Sequence, residues 1–323
     1  MRSSLFFKLF PPPTFLVMPH AGLDISDDAI RCIEFKRGAH GLFISKYATQ
    51  ILPNGLVSGG DIKDEKEFIK TLSAFVEKNG LTYVKVSLPE EKAYLFQTEV
   101  PSTNFSSIAQ NIEFKLDQNV PLSATDALFQ FDLMPRAITG DLLRASVSVV
   151  PNTYVEHYIG ILRSCKISPV AFEVVPKSIV AACTPQHSTN TQLVVHIMNT
   201  KTGLYIVSEG VVCFTSTINW GSRDLAQVQG ADSTTANMLT TEINRVYSYW
   251  LTRADVHSGI SEIMLVGSHA EECELLLRNH GGEALSRSFL PNVWLNAFDV
   301  NINVPQITRA ESFEYAVAAG LAL

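Results

Sequence analysis

Apolar residues between positions 21 and 51 fall into three short runs, AGLDI, AIRCIEF and LFISKYATQI. Polar residues 26–28 separate the first two, and KRGAHG, with Gly38 and Gly41, separates the second pair, a pattern that predicts a three-stranded meander. The period then changes. In DEKEFIKTLSAFVEKNG the apolar Phe68, Leu72, Phe75 and Val76 share one helical face, Asp64 and Glu67 make a capping-box-like start, and Gly80 ends the helix. TYVKVSL returns to alternation, with Val84, Val86 and Leu88 on one side of a half-buried strand.

From about residue 95 to 170 short helices such as SSIAQNIEFKLDQN mix with strands such as ALFQFDLM and LLRASVSVVP, followed by a helix over 153–165. Pro101, Pro121, Pro135 and Pro151 punctuate them, as expected of a small α+β module inserted in the first domain. After the polar linker TPQHSTNT the opening pattern returns in LVVHIMNTKTGLYIVSEGVVCFTSTI. Laying HIMNTKTGLYIV under DISDDAIRCIEF puts His196 beneath Asp24 and Met198 beneath Ser26. Two meander-led halves predict two α/β domains facing each other across a cleft, where ligands commonly bind.

Composition narrows the classes. The 323 residues are 46% hydrophobic, enough for two cores, and 25 Lys+Arg against 32 Asp+Glu give a net charge of −7, which argues against a nucleic-acid binder. Five cysteines without a C-x-x-C pair fit buried, reduced thiols in a cytosol. Residues 1–20 form an N-terminal tail; Lys8 and three prolines interrupt its apolar run, so it is neither an export signal nor a span. Its Leu5, Phe6, Phe7, Leu9 and Phe10 suit a membrane face, a partner groove or packing on the chain's own domain. Walker A, G-x-G-x-x-G, G-x-S-x-G and H-E-x-x-H signals are absent from the sequence.

An ordered set of segments carries a resemblance: GLDISDDAIR, IEFKLDQNVPLSATDALFQFDLM, VEHYIGILRSCKISPVAFEVVPKSI, GLYIVSEGVVCFTSTINWGSRDL, LTTEINRVYSYW, IMLVGSHAEECELL and AVAAGLAL. Together they resemble the PilM family of type IV pilus assembly proteins in the actin-like ATPase superfamily, related to FtsA. The resemblance implies an α/β, actin-like (ribonuclease H-like) two-domain fold with a small FtsA-like inserted subdomain. Domain I would comprise 21–94, 170–190 and 307–323, the insert 95–169, and domain II 191–306. It also implies ATP with Mg in the cleft, a groove for the cytoplasmic tail of a PilN-like inner-membrane protein, and indirect links to pilus motor ATPases and the platform protein. Self-association is a further expectation of that kind, as is a location at the inner face of the cytoplasmic membrane.

By the same resemblance the nucleotide would meet Asp24, Ser26, Arg31, Thr200, Lys201, Gly203, Glu242, Arg245, Gly267 and Ser268, with Asp24 holding Mg. Each phosphate loop of the superfamily pairs an aspartate with glycine, because bare backbone N–H groups approach phosphates. Here Ser26 replaces the first glycine, His196 the second aspartate, Met198 the second glycine and Ser268 one of a glycine pair. An imidazole substitutes poorly for the oxygen ligands of magnesium. Asp27 and Asp28 add charge that must turn outward or meet a cation. Lys201 suits a phosphate contact or an exposed turn, and Glu242 with Arg245 suits a ribose and adenine contact or a surface ion pair. Phe105, Ile112, Phe114 and Leu116 are candidates for the tail groove, with core packing as the alternative. The expectation is an adaptor without catalytic residues and with doubtful hydrolysis; an active actin-like ATPase or a sugar kinase is the rival, and an FtsA-like filament former a third reading.

Overall fold

The computed structural model describes residues 19–38, 41–137, 142–228, 233–253, 259–280, 285 and 287–323, so the N-terminal aromatic tail up to Met18 lies outside the described residues. Strands β1 (Ala21–Ile25), β2 (Ala29–Gly38) and β3 (Gly41–Ile51) form the expected antiparallel meander. A small hairpin, β4 (Val57–Ser58) and β5 (Asp61–Ile62), leads into α1 (Glu65–Asn79). Asp64 caps this helix by accepting from the Glu67 N–H, and Gly80 closes it at φ 57°. Phe68, Leu72, Phe75 and Val76 are its buried face, as their spacing requires. Strand β6 (Tyr83–Leu88) then runs parallel to β1.

Next come β7 (Tyr94–Pro101), α2 (Phe105–Glu113), α3 (Leu116–Asn119), β8 (Ala127–Ala137) and β9 (Leu142–Pro151). The three strands make their own sheet, ordered β7-β9-β8, against which α2 packs Ile108 and Ile112. Helix α4 (Asn152–Ser164) follows. The predicted module of 95–169 takes it in, but its Tyr158, Ile161 and Leu162 join the core built by β1, β6 and α1. The reason is its apolar stripe, which faces α1. Strand β10 (Ser168–Val174) completes the first sheet beside β6, and α5 (Val175–Cys183) leads out of it.

The second half repeats the first. Strands β11 (Thr191–Ile197), β12 (Thr202–Ser208) and β13 (Val211–Ile218) form a second meander, followed by α6 (Ser222–Val228) and α7 (Ser233–Thr252). Then β14 (Glu262–Gly267) pairs parallel to β11, α8 (Ala270–His280) crosses over, and β15 (Ser288–Phe289) pairs parallel to β14. The sheets are ordered β10-β6-β1-β2-β3 and β15-β14-β11-β12-β13, with the same parallel and antiparallel pairings. The repeat inferred from two meanders therefore extends to whole sheets. After α9 (Arg309–Ser312), the last helix, α10 (Ala316–Leu321), lies between β1 and α5. The insert also touches the second lobe: Ser146 Oγ donates to the Val212 carbonyl at 2.5 Å, and Arg253 Nη2 donates to Gln97 Oε1 at 2.9 Å.

Candidate functional site

The β1–β2 and β11–β12 turns, each closed by one backbone bond, meet between the lobes. Ser26 N donates to the Ala29 carbonyl at 3.0 Å, and Met198 N donates to the Lys201 carbonyl at 2.9 Å. Asp24 stands just before the first turn, buried and in register with Arg31. Burial pushes its pKa up to about 6 against the opposing pull of Arg31 and Ser87. Ser26 caps its own turn through Oγ, donating to the Ala29 carbonyl at 3.0 Å. Arg31 reaches Glu314 at 2.7 Å and Asp28 at 3.7 Å.

Asp27 does find a cation. Its carboxylate accepts from the Gly59 and Gly60 N–H groups at 2.9 and 3.1 Å and pairs with Lys201 Nζ at 3.1 Å. Lys201 also contacts Glu91, on the single turn of 3₁₀ helix after β6. The exposed-turn reading of Lys201 is corrected, because its side chain is only 9% exposed. Burial opposes its charge, but Glu91, Asp27 and Glu90 outweigh that and hold its pKa above the ordinary lysine value. For Asp27, too, burial is outweighed, chiefly by Lys201 and the two glycine N–H groups, and its pKa lies below the usual range.

Beside this pair a second set of bonds crosses the cleft. Tyr205 Oη donates to Glu90 Oε1 at 2.9 Å, and Thr217 Oγ1 donates to the same oxygen at 3.1 Å. The Tyr205 proton being committed, its oxygen accepts from His196 Nδ1 at 3.3 Å, which sets the tautomer of a neutral imidazole. Burial, with Arg31 and Lys201 nearby, lowers the His196 pKa to about 3. Gly203 is small for a reason other than phosphate approach: a Cβ there would come within 2.0 Å of the Tyr205 hydroxyl. Gly267, at φ 99°, lies against the Ile197 carbonyl, and Ser268 N donates to that carbonyl at 2.8 Å.

Of the ten candidate nucleotide residues, Asp24, Ser26, Arg31, Gly267 and Ser268 line one cavity together with His196, Met198 and Glu314. It measures about 20 Å³, enough for one water. Lys201 is drawn instead to Asp27 and Glu91, and Gly203 lies beneath Tyr205. Thr200 is a half-buried turn residue whose amide faces Gly221. Glu242 and Arg245 form an i,i+3 ion pair at 3.1 Å, with Arg245 exposed, while Leu239, Ile243, Val246 and Trp250 bury the other face of α7. Among the described residues no group of three His, Cys, Asp or Glu side chains is placed to hold a metal ion. Glu90, Glu91, Tyr205, Thr217 and Glu314 were not foreseen. The usable signal was Glu90-Glu91 itself, two carboxylates just past the end of a parallel strand.

The tail-groove candidates divide. Ile112 and Leu116 are fully buried in the insert's own core, where their helical spacing puts them, so they are not surface contacts. Phe105 and Phe114 are exposed, and Phe105 stacks on Phe131 at 4.8 Å. A different groove lies between the first sheet and the insert. It is a cavity of about 170 Å³ lined chiefly by Leu88, Leu128, Phe129, Val150, Phe172 and Val174. Strands β8 and β10, each at the edge of its sheet, flank it. Gln130 of β8 donates to Glu173 of β10 at 2.5 Å, and Lys177 of α5 pairs with Asp132 of β8 at 3.0 Å and with Glu173 at 3.5 Å.

Comparison with known proteins places this architecture. The chain is similar to a solved PilM-PilN type IV pilus biogenesis complex at 17% identity and a TM-score of 0.75, covering 94% of this chain and 98% of that one. It is similar to the ethanolamine utilization protein EutJ from Carboxydothermus hydrogenoformans at 12% identity and a TM-score of 0.51, covering 97% and 90%. Likeness at these identities shows the fold, which is actin-like as expected. Comparison with curated proteins gives no match. A family model described as type IV pilus assembly protein PilM matches residues 22–230, and the chain belongs to that family.

Proposed function

We propose that the protein is an adaptor of a type IV pilus assembly machine, working at the cytoplasmic face of the inner membrane and receiving the cytoplasmic tail of a PilN-like membrane protein. The observation that carries this reading is the apolar groove between the first sheet and the insert. Its two flanking edge strands offer main-chain N–H and C=O groups to an extended peptide, and its aliphatic and aromatic walls take alternate side chains. The similar solved structure is itself a PilM-PilN complex. Among the described residues no helix is long and apolar enough to cross a membrane, in keeping with attachment through a partner. Motor ATPases and the platform protein are then reached through that partner.

The cleft does not favour nucleotide turnover. The residues present do not suit Mg with ATP: the space beside Asp24 admits one water, whereas ligand sites usually measure about 300 Å³ or more. Asp27 and Lys201 neutralise one another, and a neutral His196 faces the cavity where a second carboxylate would serve a metal. The test is calorimetric titration with a synthetic peptide of the PilN-like cytoplasmic tail. Saturable binding that weakens at least tenfold in Leu128→Glu, with circular dichroism unchanged, is the expected result. Equal affinity in both proteins removes the groove as the site, and steady ATP turnover by the purified protein removes the adaptor reading in favour of an ATPase or kinase.

A further inference from the structure

We infer that Lys201 is a built-in counter-ion that bolts the two lobes together, so that the chain itself, rather than a bound nucleotide, holds the cleft shut. The geometry is one of opposed acidic and basic turns. Lys201 projects from the β11–β12 turn of the second lobe; Asp27 comes from the β1–β2 turn of the first, and Glu91 from the turn after β6. The Gly59 and Gly60 N–H groups fix the Asp27 carboxylate in place, so the acceptor is positioned before the lysine arrives. Next to it, Tyr205 and Thr217 of the second lobe both donate to Glu90 of the first. Four polar contacts thus cross the cleft at one place, around one ammonium.

Chemistry distinguishes this from a phosphate-binding lysine. A lysine waiting for phosphate keeps its ammonium free or hydrated, whereas Lys201 is almost wholly buried and already engaged by two carboxylates. Removing it leaves Asp27, Glu90 and Glu91 facing one another with no cation between them, and breaking one side of a buried pair costs more than the intact pair contributes. The ammonium therefore occupies the charge role that a bridging cation would have between two acidic turns. Arginine can keep that role; an apolar side chain cannot.

The inference stands apart from tail binding, since a peptide that fails to bind leaves the lobe geometry as it is. It is tested by spin-label distances between Lys78→Cys on α1 and Glu271→Cys on α8, both exposed; the five native cysteines are all buried and spared from labelling. The expected result is one narrow distance distribution, unchanged by millimolar ATP with Mg. Glu91→Gln broadens it, Lys201→Met broadens it further toward longer distances, and Lys201→Arg retains it. Should Lys201→Met fail to fold, Glu91→Gln, whose side chain is partly exposed, reads the same contact. A wild-type distance that shortens with ATP and Mg overturns the inference, as does a narrow distribution that survives in Glu91→Gln and in any folded Lys201→Met.

Discussion

Asp24 and His196 occupy equivalent places in the two lobes, each two residues before a turn, one in register with Arg31 and the other with Gly203. The acid is buried and the base half-buried at matched positions, and their pKa values shift in opposite directions. Asp24 has a folded pKa of about 6 against an ordinary value of 3.8, so the native state holds a proton that the unfolded chain has lost. Its contribution is favourable below the ordinary value and is lost as pH rises through about 6. Asp24→Asn removes that cost. Above pH 6 the variant is expected to be more stable than wild type by up to about 3 kcal/mol, because each pH unit between the ordinary and the folded value is worth about 1.4 kcal/mol. Below pH 4 the two should converge, and urea denaturation at pH 4 and pH 7.5 checks both ends.

For His196 the sign is reversed. A folded pKa of about 3 against an ordinary 6.5 means that the unfolded chain takes up a proton the native state refuses, so stability is lost as pH falls from 6.5 toward 3. Between 3.8 and 6 the two effects offset one another in the wild type. His196→Gln unmasks Asp24, and its stability should fall with rising pH over that window. Asp24→Asn removes one opponent of His196, so its stability should rise more with pH than that of wild type, while Glu90, pushed up to about 6 by burial, still opposes His196 above 4.5. Thermal melts from pH 4 to 7 on the two single variants distinguish these slopes; parallel profiles would show that the groups do not titrate as placed.

The repeat was legible because it is local. Three strands joined by short turns can be read at 21–51 and again at 191–218, and period alone separates them from α1. The cleft was only half legible. Asp24, Ser26 and Arg31 come from one continuous hairpin, but Lys201 meets Glu91 across 110 residues and Thr217 meets Glu90 across 127. No spacing rule reaches that far, and the burial that distinguishes Lys201 from a surface lysine exists only once both lobes have folded. Gly203 shows the opposite limit: its type suited a phosphate loop, while its neighbour Tyr205 supplies the space requirement.

The assignment of Ile112 to the insert core and of Phe114 to its surface separates two outcomes. Ile112 is fully buried with Val100, Val147 and Leu116, so Ile112→Ala should cost about 2–5 kcal/mol. Phe114 is 85% exposed, and Phe114→Ala should stay within about 0.5 kcal/mol. Urea midpoints of the two variants measure this. Tail-peptide affinity of folded Phe114→Ala should match wild type, because the groove is lined by other residues.

Two helical glycines with opposite surroundings test how closely the last helix is clamped. Gly160 on α4 has nothing within 4 Å of an added Cβ, whereas at Gly320 on α10 a Cβ would lie 1.7 Å from the Ser178 carbonyl of α5. Helix propensity alone favours alanine over glycine by about 1 kcal/mol, so Gly160→Ala should be neutral or stabilising. At Gly320 the obstacle is backbone, which no rotamer change can clear. Helix α10 is held on its other side too, since Gly22 of β1 approaches the Ala318 carbonyl as closely as a missing Cβ permits. The helix must therefore shift as a unit, and overpacking of this kind costs about 1–3 kcal/mol or more. Gly320→Ala should be destabilised despite its better propensity, with a lowered melting temperature where Gly160→Ala shows none; equal melting temperatures would mean that α10 can move away from α5 at little cost.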